Sequence, residues 1–322
     1  MRPPSTASAN DLVRGDGAKA SDGKTPDGPY KIKWFILIGI VFYHAVSLLA
    51  FVPWFYSWTG VVACVLGCYF FGTLGINIGY HRLLTHRGFR CPKWLERTLV
   101  LLGVCNVQEA PAFWVAVHRR HHQYADDEPD PHSPLVSFLW AHVGWVCVEK
   151  PGEERNALAA RHASDLLTDP LQRWLQGHGW YFVNLLSWMI FFGVGYSGAL
   201  IAGEPTPEAL RFGASLLLWG VFVRTVLVWH ITWSVNSVTH LWGYRTYETN
   251  DQSRNNLLVG FISNGEGWHN NHHADPTSAR HGHQWWELDV AYLTIRFLGF
   301  LGLAQNIANP SPRLASRASR SP

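Results

Sequence analysis

Long uncharged blocks alternate along this chain with polar stretches that carry histidine. Residues 34 to 56, 58 to 80 and 180 to 203 contain no Asp, Glu, Lys or Arg, and each exceeds the ~20 residues that take a helix across a bilayer. A fourth block, from about Phe212 to Trp242, is broken only by Arg224, a charge suited to a headgroup layer or to the protein interior. Buried core helices are the alternative reading, but uninterrupted apolar runs of this length are rare in soluble proteins. The pattern predicts an all-α integral membrane protein with four transmembrane helices.

The stretches between the blocks differ in kind. Residues 98 to 117 are apolar but interrupted by Asn106, Gln108, Glu109 and Pro111. That predicts a bent or interfacial helix rather than a span, placed to border a substrate channel. Residues 1 to 29 are rich in Ser, Gly, Asp, Pro and Lys and read as a disordered tail, too polar and too long for a secretory signal. Residues 307 to 322 read as a second, basic tail, which leaves one domain over 30 to 306.

Positive charges near the spans set the orientation. Lys31 and Lys33 precede the first block, the turn from Phe51 to Gly60 is uncharged, and Arg82, Arg87, Arg90, Lys93 and Arg97 follow the second. The turn GEPTPEALR after the third block carries one Arg against two Glu. Both chain ends are therefore expected on the cytoplasmic side.

Composition changes this picture little. The chain has 322 residues, 48% of them hydrophobic, yet its mean hydropathy is near zero, because the apolar residues are gathered into the blocks. The net charge of +3 comes with no basic, aromatic-studded face, so nucleic acid is not implied. Cys64, Cys68, Cys91, Cys105 and Cys147 show no CxxC spacing and read as packing residues.

The histidines carry the chemistry. His81 and His86 stand in HRLLTH, His118, His121 and His122 in HRRHH, and His269, His272 and His273 in HNNHH. By the charge rule all three clusters fall on one side, the cytoplasmic one, as a shared site requires. In each HxxHH the rings at i, i+3 and i+4 share one face of a helical turn. His81 and His86 are five apart, about 140° around a regular helix, so the helix is expected to loosen after Leu83. Asn236 and His240 form an i, i+4 pair at the end of the fourth block, and spacing alone leaves His240 as a possible ninth ligand.

Eight clustered imidazoles exceed what one ion takes. Structural zinc would use four ligands, while calcium and magnesium prefer oxygen; the excess of imidazole suggests iron, and two ions. Asp126, Asp127, Asp130, Glu266 and Asp275 are placed to accept from the remote ring N–H groups. His132, His142, His281 and His283 either support the ligand rings or stand on the surface. His44, His162, His178 and His230 read as interfacial or packing residues.

GYHRLLTHRGF, HRRHHQYADDEPDPHSP with the later AHVGW, NSVTHLWGYRTYE, and NGEGWHNNHHADP followed by RHGHQWWELD resemble the membrane-bound fatty acid desaturases of the stearoyl-CoA delta-9 type, in a bacterial form. The resemblance runs from roughly Lys33 to Ala304. It implies a cytosolic helical cap over four spans, holding a di-iron centre. The ligands would be His81, His86, His118, His121, His122, His240, His269, His272 and His273, with Asn236 holding a metal-bound water. It further implies that O2 and two electrons are consumed as a cis double bond enters a saturated chain, presented as fatty acyl-CoA or acyl-lipid. No HPGG-type segment occurs, so electrons are expected from a separate ferredoxin, rubredoxin or cytochrome b5 with its reductase.

Methylenes are chemically alike, so a bent apolar tunnel must select by depth. Tyr69 and Thr73, a few turns before His81, are expected at its floor. The competing reading is a membrane hydroxylase or ketolase acting on an alkane, sterol or carotenoid. HxxxxH together with NSVTH and GEGWHNNHH favours the desaturase. A metal transporter would need charged residues inside the spans, and the first three blocks have none.

Overall fold

The computed structural model describes residues 29–127, 130–150 and 153–311. Four helices in it are long and apolar enough to cross a membrane: Trp34–Phe51, Trp58–Thr85, Pro170–Ile201 and Thr206–Leu241. Here α1 denotes Trp34–Leu48, which ends in a short 3-10 turn, and α2 denotes Trp58–Thr85. Then come α3 (Lys93–Val104), α4 (Pro111–Tyr124), α5 (Phe138–His142) and α6 (Arg155–His162). The two remaining long helices are α7 (Pro170–Ile201) and α8 (Thr206–Leu241). They are followed by α9 (Leu257–Ile262), α10 (His269–Ala274) and α11 (Val290–Phe300). Strand is confined to an antiparallel pair, β1 (Lys31–Ile32) with β2 (Val148–Glu149), in the register Lys31 to Glu149.

Local chemistry sets the helix ends. Ser57 caps α2 by accepting from Gly60 N at 2.9 Å, and Asp169 caps α7 by accepting from Leu171 N at 2.7 Å. Pro111 opens α4 in its first turn, where a missing N–H costs nothing. The same proline forbids the single bent helix expected over 98 to 117. The chain instead breaks between α3 and α4, with Val107 at φ 54° and Glu109 at φ 75°.

From Cys68 to Thr85, α2 is wound as a π-helix, whose i→i+5 hydrogen bonds tighten no turn in fewer than five residues. His86 N donates to His81 O at 3.1 Å in that pattern. Residues five apart therefore stack, and His81 and His86 lie with ring centroids 4.8 Å apart. The loosening expected after Leu83 begins some four turns earlier.

The most enclosed of the long helices is α8, and at 36 residues it would extend roughly 50 Å, against ~30 Å for a bilayer's hydrocarbon core. Arg224 on it faces inward. It is fully buried, donates to Cys105 O at 2.7 Å and lies 4.1 Å from the Phe71 ring centroid, so it caps the carbonyl end of α3. The outward faces of α1, α2 and α7 expose Trp34, Ile38, Val62, Val65, Phe182, Leu186 and Ile190, a continuous apolar surface unlike that of a soluble domain.

His44 and His230, read as interfacial or packing residues, form a chain of rings with His142: His44 Nε2 meets His230 Nε2 at 3.0 Å, and His230 Nδ1 meets His142 Nε2 at 3.0 Å. Residues 307–311, expected within the second tail, are tied to the body, since Ala308 N donates to Gly88 O at 2.8 Å and Ser311 N to Asp275 Oδ2 at 2.7 Å; the rest of that expected tail lies outside the described residues. The expected first tail, through residue 28, lies outside the described residues.

Candidate metal centre

The C-terminal ends of α2 and α8 meet α4 and α10 at one end of the long helices, and nine imidazoles converge there. In one cluster the nearest ring nitrogens of His81, His86, His118, His122 and His272 lie within 4.8 Å of one another; in a second, so do those of His121, His240, His269 and His273. Each HxxHH motif is divided between the two. HRRHH sends its i, i+4 pair, His118 and His122, to the first cluster and His121 to the second; HNNHH sends His272 to the first and its i, i+4 pair, His269 and His273, to the second. The shared helical face was legible from spacing, whereas the division follows from how α4 and α10 cross.

Carboxylates fix the rings. His81 Nδ1 lies 2.6 Å from Glu266, His121 Nδ1 3.0 Å from Asp130, His240 Nδ1 3.0 Å from Asp126 and His273 Nδ1 2.8 Å from Asp251. Each Nδ1 donates its proton to the carboxylate, which leaves Nε2 with a bare lone pair. His121 Nε2 and His273 Nε2 then face each other at 3.4 Å. Two lone pairs aimed at one point repel unless a cation lies between them. His81 and His272 meet Nε2 to Nε2 at 3.1 Å, as do His240 and His269. The donor set fits a pair of transition-metal ions.

Other side chains hold this geometry. Asn270 Oδ1 accepts from Thr246 N and Tyr247 N, each at 2.8 Å, while Asn271 Nδ2 donates to Glu287 Oε2 at 2.8 Å and to His281 O at 2.9 Å. The two asparagines of HNNHH thus clamp α10 to the loops around it. Gly265, at φ 121°, adopts a turn open to glycine, and a Cβ there would collide with Asp289; the turn directs Glu266 inward. Arg82, counted above among the charges that set the orientation, is fully buried and donates to Glu266 at 2.8 Å, to Ala279 O at 2.8 Å and to Asp289.

Not every expected support is present. Asp127 contacts none of the rings through a described hydrogen bond, and Asp275 accepts from Ser311 N instead. His281 stacks near His272 with ring centroids 4.4 Å apart, and His132 near His121 at 4.3 Å. His283 bonds Tyr247 Oη at 2.9 Å, away from the rings. Asp251 and Arg82 were missed as supports: Asp251 lies in no histidine motif, and Arg82, although inside HRLLTH, pairs with acids far along the chain.

A cavity of about 500 Å³ runs from the rings of His81, His118 and His269 into the apolar body, a volume typical of small-molecule sites. Its middle is set by Gln108, which donates to Thr232 Oγ1 at 3.0 Å and accepts from Trp114 Nε1 at 3.3 Å. Its far end is closed by Tyr43, Trp188 and Trp229, where the Tyr43 ring lies 6.0 Å from Trp188 and 5.1 Å from Trp229. Tyr69 and Thr73 do not reach it. Tyr69 Oη bonds Thr294 Oγ1 at 2.8 Å and Thr73 Oγ1 accepts from Asn264 at 2.8 Å, because α11 and the turn before α10 pack on that face of α2. Ile76 and Asn77 are the residues of α2 that line the wall, and Asn236 lines it beside His269.

The family model for fatty acid desaturase matches residues 56–298, a stretch that contains every one of these rings. The chain belongs to the fatty acid desaturase family. It is 40% identical over 277 residues to an sn-1 stearoyl-lipid 9-desaturase of Anabaena variabilis, covering 86% of this chain and 94% of that one. It is 39% identical over 291 residues to an sn-2 palmitoyl-lipid 9-desaturase of Nostoc sp. (strain 36), covering 89% and 94%. An acyl-CoA C20 Delta5-desaturase of Anemone leveillei is 38% identical over 269 residues, covering 82% and 78%.

In this desaturase six of the nine rings are held below the ordinary histidine value by their surroundings. Burial first, then the neighbouring rings, hold His86, His118, His122, His269 and His272 well below the ordinary histidine value. His273 is lowered to about 4, burial outweighing the opposing pull of Asp251. His121 goes the other way: burial disfavours its charge, but Asp130, Asp126 and Asp251 outweigh burial and raise it. Neutral imidazole is the form that ligates.

Replacing Asp251→Asn should cost the desaturase 10–100-fold in metal affinity, on the order seen when a ligand's hydrogen-bond acceptor is lost; metal titration of the purified variant checks this. The metal-free protein should lose thermal stability as pH falls below the ordinary histidine value of 6.5. There the unfolded chain takes up protons that the buried rings refuse, and the loss continues down to about 4, where His273 itself protonates. Melting curves between pH 7 and 5 would show it, and a flat profile would contradict it.

Proposed function

We propose that this desaturase is an O2-dependent di-iron enzyme that places a cis double bond, at carbon 9, in a saturated acyl chain carried by a membrane lipid. The observation that carries the reading is the convergence of carboxylate-held ring nitrogens at one end of an apolar cavity. The lipid carrier and the position are supported by relatives named as 9-desaturases of stearoyl- and palmitoyl-lipids. The comparisons return desaturases and give no support to a hydroxylase or ketolase.

The four long helices cross the membrane, and the end bearing the rings, with both chain termini, faces the cytoplasm. Charge supports this: Arg87, Lys93 and Arg97 follow α2 on the side of the rings. His81, His86, His118, His122 and His272 would hold one iron and His121, His240, His269 and His273 the other, with Asn236 holding a bound water. Iron would supply the oxidising power to remove hydrogen from an unactivated methylene. Overall, two hydrogens of the chain, one O2, two electrons and two protons give the alkene and two waters.

The protein's part is placement. No side-chain acid, base or nucleophile is required at carbon. Gln108, pinned between Thr232 and Trp114, bends the path, and the Tyr43–Trp188–Trp229 floor stops the methyl end, so the depth of the cavity selects which pair of methylenes lies beside the rings. Walls of this kind also exclude water from the oxidising site. The electrons come from a separate carrier, a ferredoxin, rubredoxin or cytochrome b5 with its reductase; exposed Arg and Lys near the site suit an acidic partner.

His121→Ala and His272→Ala, one from each cluster, should each abolish double-bond formation while the protein still accumulates in membranes. Full activity in either would refute the ligand assignment. Expression in a host lacking its own desaturase should yield 9-unsaturated chains in glycerolipids, read by mass spectrometry of each lipid class; a product carrying an added oxygen would favour a hydroxylase instead.

A further inference from the structure

The cavity is not walled on every side. Its lining includes Phe35, Ile38 and Phe42 of α1 and Tyr181 and Leu185 of α7, yet Phe35 is 67% exposed, Ile38 63% and Leu185 52%. Side chains that both line a cavity and face outward mark an opening. The two helices meet there at aromatic edges: Phe35 lies 6.1 Å from Tyr181 near the ring-bearing end, and Tyr43 lies 6.0 Å from Trp188 at the far end. Between these pairs lies Gly39, which lines the cavity and whose missing Cβ would meet nothing within 4 Å. The result is a slit, closed at both ends by aromatic rings and held open in the middle by a glycine.

The slit opens onto the exposed apolar faces of α1 and α7, the surface that lipid would cover. At the ring-bearing end lies a small polar recess of about 60 Å³. Among the described residues it offers Lys33, Arg120 and Lys150 against Asp130, Glu149 and Glu153, with Arg120 paired to Glu153 at 2.7 Å. A balanced recess gives no cationic surplus for a carrier bearing several phosphates.

We propose that the slit between α1 and α7 at Gly39 is a lateral portal, through which an acyl chain still esterified to a membrane glycerolipid slides sideways from the bilayer into the cavity. The headgroup stays at the interface while the chain enters between Phe35 and Tyr43. This rests on the desaturase reading above and specifies how its substrate arrives.

A side chain at Gly39 fills open space, so it should plug the slit without disturbing the core. The test reconstitutes the purified protein in vesicles containing distearoyl glycerolipid, with a ferredoxin system, and measures 9-unsaturated product for Gly39→Ala, Gly39→Leu and Gly39→Trp. The expected order is graded, with Gly39→Ala near wild type and Gly39→Trp down about tenfold or more in kcat/KM at unchanged iron content. Val41→Trp, which places the same side chain on an exposed position of α1 outside the cavity lining, should leave activity intact. Equal activity across the Gly39 series, or an equal loss in Val41→Trp, overturns the portal. If Gly39→Trp fails to retain iron, Gly39→Leu decides by the same comparison. Wild-type protein that converts stearoyl-CoA but no glycerolipid overturns lateral lipid entry and leaves desaturation standing; wild type inactive on both would instead remove the functional reading itself.

Discussion

Ring nitrogens that point at one another, with carboxylates behind them, are the constraint on which this structure depends. His121 and His273, each donating from Nδ1 to a carboxylate on the far side, face Nε2 to Nε2 at 3.4 Å. Such a contact opposes folding unless positive charge, a proton or a metal ion, settles between the rings, which couples cation binding to assembly of this end of the protein. Around it the fold supplies compensation: buried carboxylates behind the rings, Arg82 to neutralise Glu266 and Asp289, and the two asparagines of α10 to satisfy backbone that regular structure leaves bare.

Much of this was readable beforehand, for physical reasons. A helix built to face lipid carries little charge, so three uncharged blocks and a fourth broken only by Arg224 mark α1, α2, α7 and α8. Rings at i, i+3 and i+4 must share a face, so both HxxHH motifs announce a site. Spacing could not decide His240, because one ring at a helix end has no periodic partner; the family resemblance supplied it, and the structure seats it 3.1 Å from His269. The carboxylates within the motifs, Asp126, Asp130 and Glu266, were foreseen. Asp251 was not, since it reaches His273 across a loop.

The failures share a cause. Tyr69 and Thr73 were placed at the floor by counting turns back from His81, but a count along a helix does not say which neighbour covers which face. Thr294 and Asn264 take that face of α2, and the floor is built from α1, α7 and α8. The winding of α2 was hidden for a similar reason: nothing in GINIGYHRLL marks a π-helix, and its benefit, two rings five residues apart brought together, exists only once the partner rings arrive. Arg82 counted only toward the orientation because its acids lie some two hundred residues away.

One helix joins the two halves of this design. Along α8, Trp229 closes the far end of the cavity, Thr232 holds the residue that bends it, and His240 enters the ring cluster. These three are carried on a single stiff rod with a rise of about 1.5 Å per residue. In the proposed reading the separation between chain end and rings is written as a residue count, much as notches fix length on a gauge. A one-residue insertion between Thr232 and His240 would swing the ring about 100° off target, so the depth of the cavity and the seating of the ring change together.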